Sequence, residues 1–349
     1  MSKTPLELGF RMPAEWERHE ATWLSWPKNP LTFPEKIIDQ VEHAYVQMIE
    51  ALAGGEKVKV LVDDATTEAR VRSMISMRGG NVQFYVVKSA DVWIRDYGPI
   101  FIKNTLNGIR AITKWHFNAW GSKYDDLLGD DKVGVEISES TGLRIFQPDM
   151  VLEGGSIDTN GNGLCLTTKQ CLLNPNRNPK HSKDSIEKYL REYLGFSDIV
   201  WLGRGIEGDD TDGHIDDLAR FVSQDTVVCM VESDTTDANH VPLQENYETL
   251  TEWRSSSGES LTVLPLEMPG ALTSVGDEEV EEGRLPASYA NFYIGNEAVL
   301  LPVFGDRNDD KAVSLLKQAF RTRKIVAIDC KSLVYGFGGI HCVTQQEPA

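Results

Sequence analysis

The chain has 349 residues and carries 35 Lys and Arg against 53 Asp and Glu, a formal charge of −18, with 41% apolar and 25% charged residues. That is the composition of a core-forming globular protein, and its acidity argues against nucleic acid or an anionic membrane as a partner, because phosphate recognition needs a basic face. No apolar run approaches the roughly 18 residues a membrane helix needs. No apolar leader segment is visible in the first twenty residues, and five cysteines without C-x-x-C spacing do not read as a disulfide framework, so a cytoplasmic protein with reduced thiols is expected.

In chain order, a helix is expected between Pro34 and Gly54, and further helices begin near Thr66, Asp125, Asp184, Leu243 and Asp310. The clearest has Ile186, Tyr189, Leu190, Tyr193 and Leu194 on one face, Asp184 as its cap, Glu187 at the third position, and Gly195 where a left-handed residue ends a helix. Most are followed by a short β-rich run: 82–87, 199–202, 261–264 and 325–328. Strand pairs flank Asn160-Gly161-Asn162-Gly163 (156–158 with 164–168) and Gly295-Asn296 (291–294 with 298–303), and Asn-Gly is a hairpin signal. Starts at 66, 125, 184, 243 and 310 are spaced by 59, 59, 59 and 67 residues, which suggests a hairpin–helix–strand unit repeated about five times. The acidic stretch Ser274–Leu285 reads as a solvated loop. Without a linker or low-complexity break, residues 1–349 are expected to form one domain.

Three motifs invite chemistry that their context does not support. Asp158-x-Asn160-x-Asn162-Gly163 opens like a calcium loop, but position twelve is Lys169 rather than a bidentate Glu, so a hairpin turn is expected. Gly203-x-Gly205-x-x-Gly208 resembles a dinucleotide fingerprint, yet Asp209, Asp210 and Asp212 follow it and would repel a pyrophosphate. His214-Ile215-Asp216 finds no second histidine at zinc-type spacing. No metal and no cofactor are expected.

Four polar clusters remain on glycine-punctuated loops beside the strand-like runs: Trp93-Ile94-Arg95-Asp96-Tyr97-Gly98-Pro99, Leu152-Glu153-Gly154-Gly155, Gly208 through Asp217, and Gly338-Gly339-Ile340-His341-Cys342. Together they supply a thiol, an imidazole and several carboxylates. A Cys with a His is a nucleophile–base pair. The carboxylates are out of place in a protease, because they would raise the thiol pKa and repel an oxyanion. They make sense if the electrophile is itself a cation. A guanidinium is planar, presents five N–H donors, and is received by carboxylates in bidentate fashion.

These residues resemble the agmatine deiminases and bacterial peptidylarginine-deiminase-like proteins of the guanidino-group-modifying (pentein) superfamily. The resemblance runs from Met12-Pro13-Ala14-Glu15-Trp16 to Pro348. Its signatures are Trp-x-Arg-Asp-x-Gly-Pro, Phe117-Asn118-Ala119-Trp120-Gly121, Leu-Glu-Gly-Gly, Asp-x-x-Gly-His-Ile-Asp and Gly-Ile-His-Cys, in that order. It implies an α/β fold, a five-bladed pseudo-symmetric propeller of ββαβ units. It further implies that Cys342 is the nucleophile, that His214 is the general acid and base, and that Glu153 binds the guanidinium and assists proton transfer. Asp96 and Asp216 would clamp guanidinium nitrogens, Trp93 and Trp120 would flank the aliphatic chain, and Asp210 would meet a distal amine. Met12–Trp16 and Trp23–Pro27 match the family with no chemical role assigned.

The chain departs from the pattern at Tyr335-Gly336-Phe337-Gly338-Gly339, which is less uniformly glycine-rich, and at Asp212, where plant-type enzymes carry Asn. A free-arginine enzyme needs a cation for the α-carboxylate, and Arg95, Arg204 and Arg220 cannot be given that role from sequence. With the net charge, this favours agmatine, a small dicationic guanidino substrate converted to N-carbamoylputrescine and ammonia. The alternatives are a peptidylarginine or free-arginine deiminase, a non-catalytic guanidino- or polyamine-binding protein, and a metal-dependent hydrolase. Whether the protein is a homo-oligomer is left open.

Overall fold

Five times among the described residues, an antiparallel strand pair is followed by a helix and by a strand that returns parallel to the second member of the pair. The computed structural model describes residues 3–76, 80–275, 278–279 and 283–349. The units are easily traced. Ile100–Asn104 pairs with Arg110–Thr113, and after helix Val133–Thr141 comes Arg144–Phe146. Asp158–Thr159 and Leu164–Thr168 lead through helix Lys183–Leu194 to Asp198–Leu202. Ala219–Phe221 and Thr226–Val231 lead through His240–Glu252 to Thr262–Glu267. Tyr293–Ile294 and Ala298–Val303 lead through Asp309–Ala319 to Lys324–Asp329. The fifth unit joins the two ends of the chain: Thr344–Pro348 lies antiparallel to His19–Ser25, with Gln345 opposite Trp23, and helix Glu35–Leu52 leads to Lys57–Val62. Each returning strand is parallel and therefore needs a crossover, which the amphipathic helix supplies.

Helix Lys183–Leu194 shows how sequence sets these boundaries. Ile186, Leu190 and Leu194 are buried, and Gly195 ends the helix at φ 80° with its N–H on the Arg191 carbonyl. The cap differs from the expected one. Ser182 accepts from the Ser185 N–H at 3.2 Å, and Asp184 sits in the first turn, where a carboxylate meets the positive helix end. Two other expectations change. The helix near Thr66 (Ala65–Met74, capped by Asp64) is an addition that leads to an outer strand, Val82–Val86, while the crossover of that unit is Glu35–Leu52. The stretch from Asp125 is 3₁₀ over Asp125–Lys132, where acidic residues and Gly129 disfavour an α-turn, and the α-helix starts at Val133. The 59-residue spacing therefore counted elements that are not equivalent.

The Asn160–Gly163 segment is a hairpin turn: Asn160 Oδ1 accepts from the N–H groups of Asn162 and Leu164. After Gly208 no helix opens. Instead Asp209 draws the loop around itself, accepting from the backbone of Thr211, Gly213 and His214. Within the predicted acidic loop, Ser274–Val275 pairs with Glu278–Glu279 and Leu285 is buried, while 276–277 and 280–282 lie outside the described residues. The five cysteines are free and buried. Among the described residues no helix is long and apolar enough to cross a membrane. A large apolar core includes Val41, Tyr45, Ile112, Leu218 and Leu301, and a smaller one joins Phe10, Trp115, Leu190 and Leu194.

Candidate active site

A cavity of about 530 Å³ opens between the polar loops, with Trp93, Asp96, Trp120, Asp210 and Cys342 on its wall. Its lining adds Asp91, Asp126 and Tyr124, and no Lys, Arg or His lines it among the described residues. Glu153, His214 and Asp216 lie behind this wall, at 1% exposure or less.

Asp96 sits on the short helix Ile94–Tyr97. Its two oxygens accept from the Gly155 N–H and from Trp120 Nε1, both at 2.9 Å. Trp120 reaches it from an unusual turn in which Ala119, Trp120, Gly121 and Ser122 are all left-handed, at φ 51°, 53°, 88° and 62°. For the three non-glycine residues this costs about 1–2 kcal/mol each, a strain held here by Asn118, whose side chain accepts from the Gly121 N–H. Gly155 is required where it stands. A Cβ there would lie 2.6 Å from His214 Nδ1, 2.9 Å from Asp96 Oδ1 and 3.0 Å from Asp216 Oδ2, so the glycine lets three ionisable groups converge.

His214 Nδ1 is 3.8 Å from Asp96 Oδ1, and neither ring nitrogen has a hydrogen-bond partner. Burial works against its cation, but Asp96, the Cys171 thiol and Asp216 outweigh it and hold the imidazole pKa well above the usual value. Glu153 Oε1 accepts from Arg177 Nε at 2.6 Å, while Oε2 is unpartnered. Arg177 also holds Asp212 and the Thr211 carbonyl, and Lys123 pairs with Asp212 as well. The carboxylate at position 212 thus anchors the arginine that fixes Glu153.

Cys342 Sγ lies 3.8 Å from Asp216 Oδ2 and accepts from Asn291 Nδ2 at 3.2 Å. Burial pushes its pKa well up, and Asp216, Asp217 and Asp96 push it further, so the thiol is protonated. Asp216 is held below the usual carboxylate range despite its burial, because His341 Nδ1 donates to it at 2.6 Å and the charges of His214 and Arg220 favour its anion. His341 Nε2 reaches Glu15 Oε2 at 2.8 Å, and Glu15 also receives Arg95, Arg220 and the Ile294 N–H. Asp210 receives the Tyr124 hydroxyl, and burial raises its pKa to about 6. Gly338 packs on Trp93, where a Cβ would come within 2.4 Å of the indole.

Sequence reasoning missed Glu15, Arg177, Asn291, His341 and Cys171. Glu15 lay inside a recognised motif and His341 beside the predicted nucleophile. Arg177 and Asn291 carried no local signal. Glu153, Cys171 and His214 have donor atoms within 4.8 Å of one another, the one such group of three His, Cys, Asp or Glu residues among the described residues; histidine spacing could not reveal it. Arg95 and Arg220 are buried on Glu15, and Arg204 is on the surface near Glu245.

The chain is similar to known proteins over its whole length. It is 37% identical over 349 residues to a Legionella pneumophila protein described as a candidate agmatine deiminase, covering 100% of this chain and 98% of the other. The structure of an agmatine deiminase of Enterococcus faecalis is 33% identical, covers 100% and 98% of the two chains, and superposes with a TM-score of 0.89. A Porphyromonas gingivalis structure described as a candidate arginine deiminase is 35% identical, with coverage of 97% and 98% and a TM-score of 0.87. An amidinotransferase from Microseira wollei, 14% identical over 97% of this chain, shares the mixed α/β fold at a TM-score of 0.53. The model of the Porphyromonas-type peptidyl-arginine deiminases matches residues 11–348, and the chain belongs to that family.

Proposed function

We propose that this protein is an agmatine deiminase, a hydrolase that converts agmatine and water to N-carbamoylputrescine and ammonia. The observation that carries this reading is the cavity: Cys342 stands on a wall with Asp91, Asp96, Asp126 and Asp210 and, among the described residues, without a cationic side chain. Such a lining suits a substrate positive at both ends. Free arginine would bring an α-carboxylate among four carboxylates, and Arg95 and Arg220 are already committed to Glu15.

The guanidinium enters between Asp96, Asp216 and the free oxygen of Glu153, with the methylene chain between Trp93 and Trp120 and the terminal amine toward Asp210. Its charge offsets the carboxylates that, together with burial, keep Cys342 protonated, so the thiol releases its proton to solvent once substrate is bound. The thiolate adds to the guanidinium carbon. His214 as a cation gives its proton to the departing nitrogen, the C–N bond breaks, ammonia leaves, and an amidino-thioether remains on Cys342. Neutral His214 then takes a proton from water as the oxygen attacks the same carbon. The C–S bond breaks as the remaining hydroxyl proton leaves to solvent and the carbamoyl C=O forms; the His214 cation is restored, and the thiolate takes a proton back from solvent when product departs. We further infer that the five ββαβ sheets are arranged as the blades of a five-bladed propeller and that residues 1–349 act as a single catalytic domain. The union of Thr344–Pro348 with His19–Ser25 supports this reading.

Ammonia release from agmatine, free arginine and an N-blocked arginyl peptide, compared with chelator present, tests this. Release from agmatine in clear preference is expected. Preference for free arginine or the peptide would overturn the substrate.

A further inference from the structure

The proposed reaction uses Glu153 and His214 but gives no task to Cys171, the thiol that shares their space. One donor atom of each of the three lies within 4.8 Å of the other two, and all three side chains are buried. Glu153 Oε2 and both ring nitrogens of His214 have no hydrogen-bond partner, while Arg177 holds Glu153 Oε1 and so fixes the direction of the free oxygen. Asp96, 3.8 Å from His214, belongs to the cavity wall, so His214 lies just behind that wall. Thiolate sulfur, imidazole nitrogen and carboxylate oxygen form the donor set of Zn²⁺. Mg²⁺ and Ca²⁺ are hard cations that call for oxygen ligands instead.

We propose that Glu153, Cys171 and His214 form an inhibitory site for Zn²⁺ or another thiophilic divalent cation, exclusive with substrate at the same place. Binding breaks the Cys171 S–H bond and forms a metal–sulfur bond, with the proton leaving to solvent. His214 gives up its extra proton and ligates through a ring lone pair, Glu153 ligates through Oε2, and water fills the fourth position. The two protons released match the two positive charges that the metal brings. With the metal in place, His214 has no proton to deliver and Glu153 cannot receive a guanidinium. Cys342 takes no part, which separates this site from capture of metal by the proposed nucleophile.

The test uses the full-length Cys342→Ala variant, so neither turnover nor the choice of agmatine enters it. Co²⁺ added to this variant should produce sulfur-to-cobalt charge-transfer absorption and tetrahedral d–d bands, and one equivalent of Zn²⁺ should abolish them. The charge-transfer band should vanish in Cys342→Ala/Cys171→Ser. A second double variant, Cys342→Ala/Glu153→Gln, retains the thiol and should bind Zn²⁺ at least about tenfold more weakly, the scale of a lost contact at a metal site. A melting curve matching the parent's certifies the fold of each. A band in wild type that is missing from Cys342→Ala would place the metal on Cys342 and overturn the proposal. A band that survives loss of Cys171, or no band in any form, would overturn it equally.

Discussion

His341 reaches Glu15 across 326 residues of chain, Nε2 to Oε2 at 2.8 Å, while its other nitrogen holds Asp216 at 2.6 Å. An N-terminal carboxylate thereby stands behind the wall that carries Cys342. Arg95 and Arg220 complete the cluster around Glu15, and Arg220 extends it to Asp158.

Replacing Glu15 by Gln leaves two buried arginines short of a counter-charge, and breaking one partner out of a buried pair costs about 3–5 kcal/mol. Urea denaturation should show a loss of that order. A loss under about 1 kcal/mol would remove Glu15 from the framework, since surface pairs are worth that little. Its folded pKa is depressed, with Arg220 and His341 overcoming burial. The stability it contributes is therefore present above the unfolded carboxylate pKa and is lost as pH falls toward the folded one.

Cys342→Ala should release no ammonia from agmatine yet still bind it, as isothermal titration would show, because the carboxylates remain. Turnover at the wild-type rate would exclude the covalent route.

Asp96→Asn removes a charge that meets the guanidinium. It also places an amide N–H₂ against one of two donors, the Gly155 N–H or Trp120 Nε1. Together these should lower kcat/KM by about a hundredfold or more, corresponding to a few kcal/mol for a buried charged contact. Equal kcat/KM in variant and wild type would take Asp96 out of the site.

Asp210 titrates near pH 6 because burial disfavours its charged form. Below that pH it is neutral and draws a terminal amine weakly; above it the carboxylate is ionised. KM for agmatine should therefore fall as pH rises through about 6, and Asp210→Asn should flatten that change. A wild-type KM constant between pH 5 and 7.5 would deny Asp210 the amine.

Local patterns in the chain were enough to locate helix Lys183–Leu194 with its Gly195 end, the Asn160–Gly163 turn, strands Leu164–Thr168 and Ala298–Val303, and the loops that carry Cys342, His214, Glu153 and Asp96. Apolar periodicity, turn residues and glycines act over a few neighbours, so they are written in short stretches of sequence. Tertiary structure alone decided that Glu15 would sit on His341, Arg177 on Glu153, Asn291 on Cys342, and Cys171 beside His214. It also decided that the C-terminal strand would complete the N-terminal sheet. Those pairings depend on which buried charges must be matched once water is excluded, and residues hundreds of positions apart acquire that requirement only when the fold brings them together.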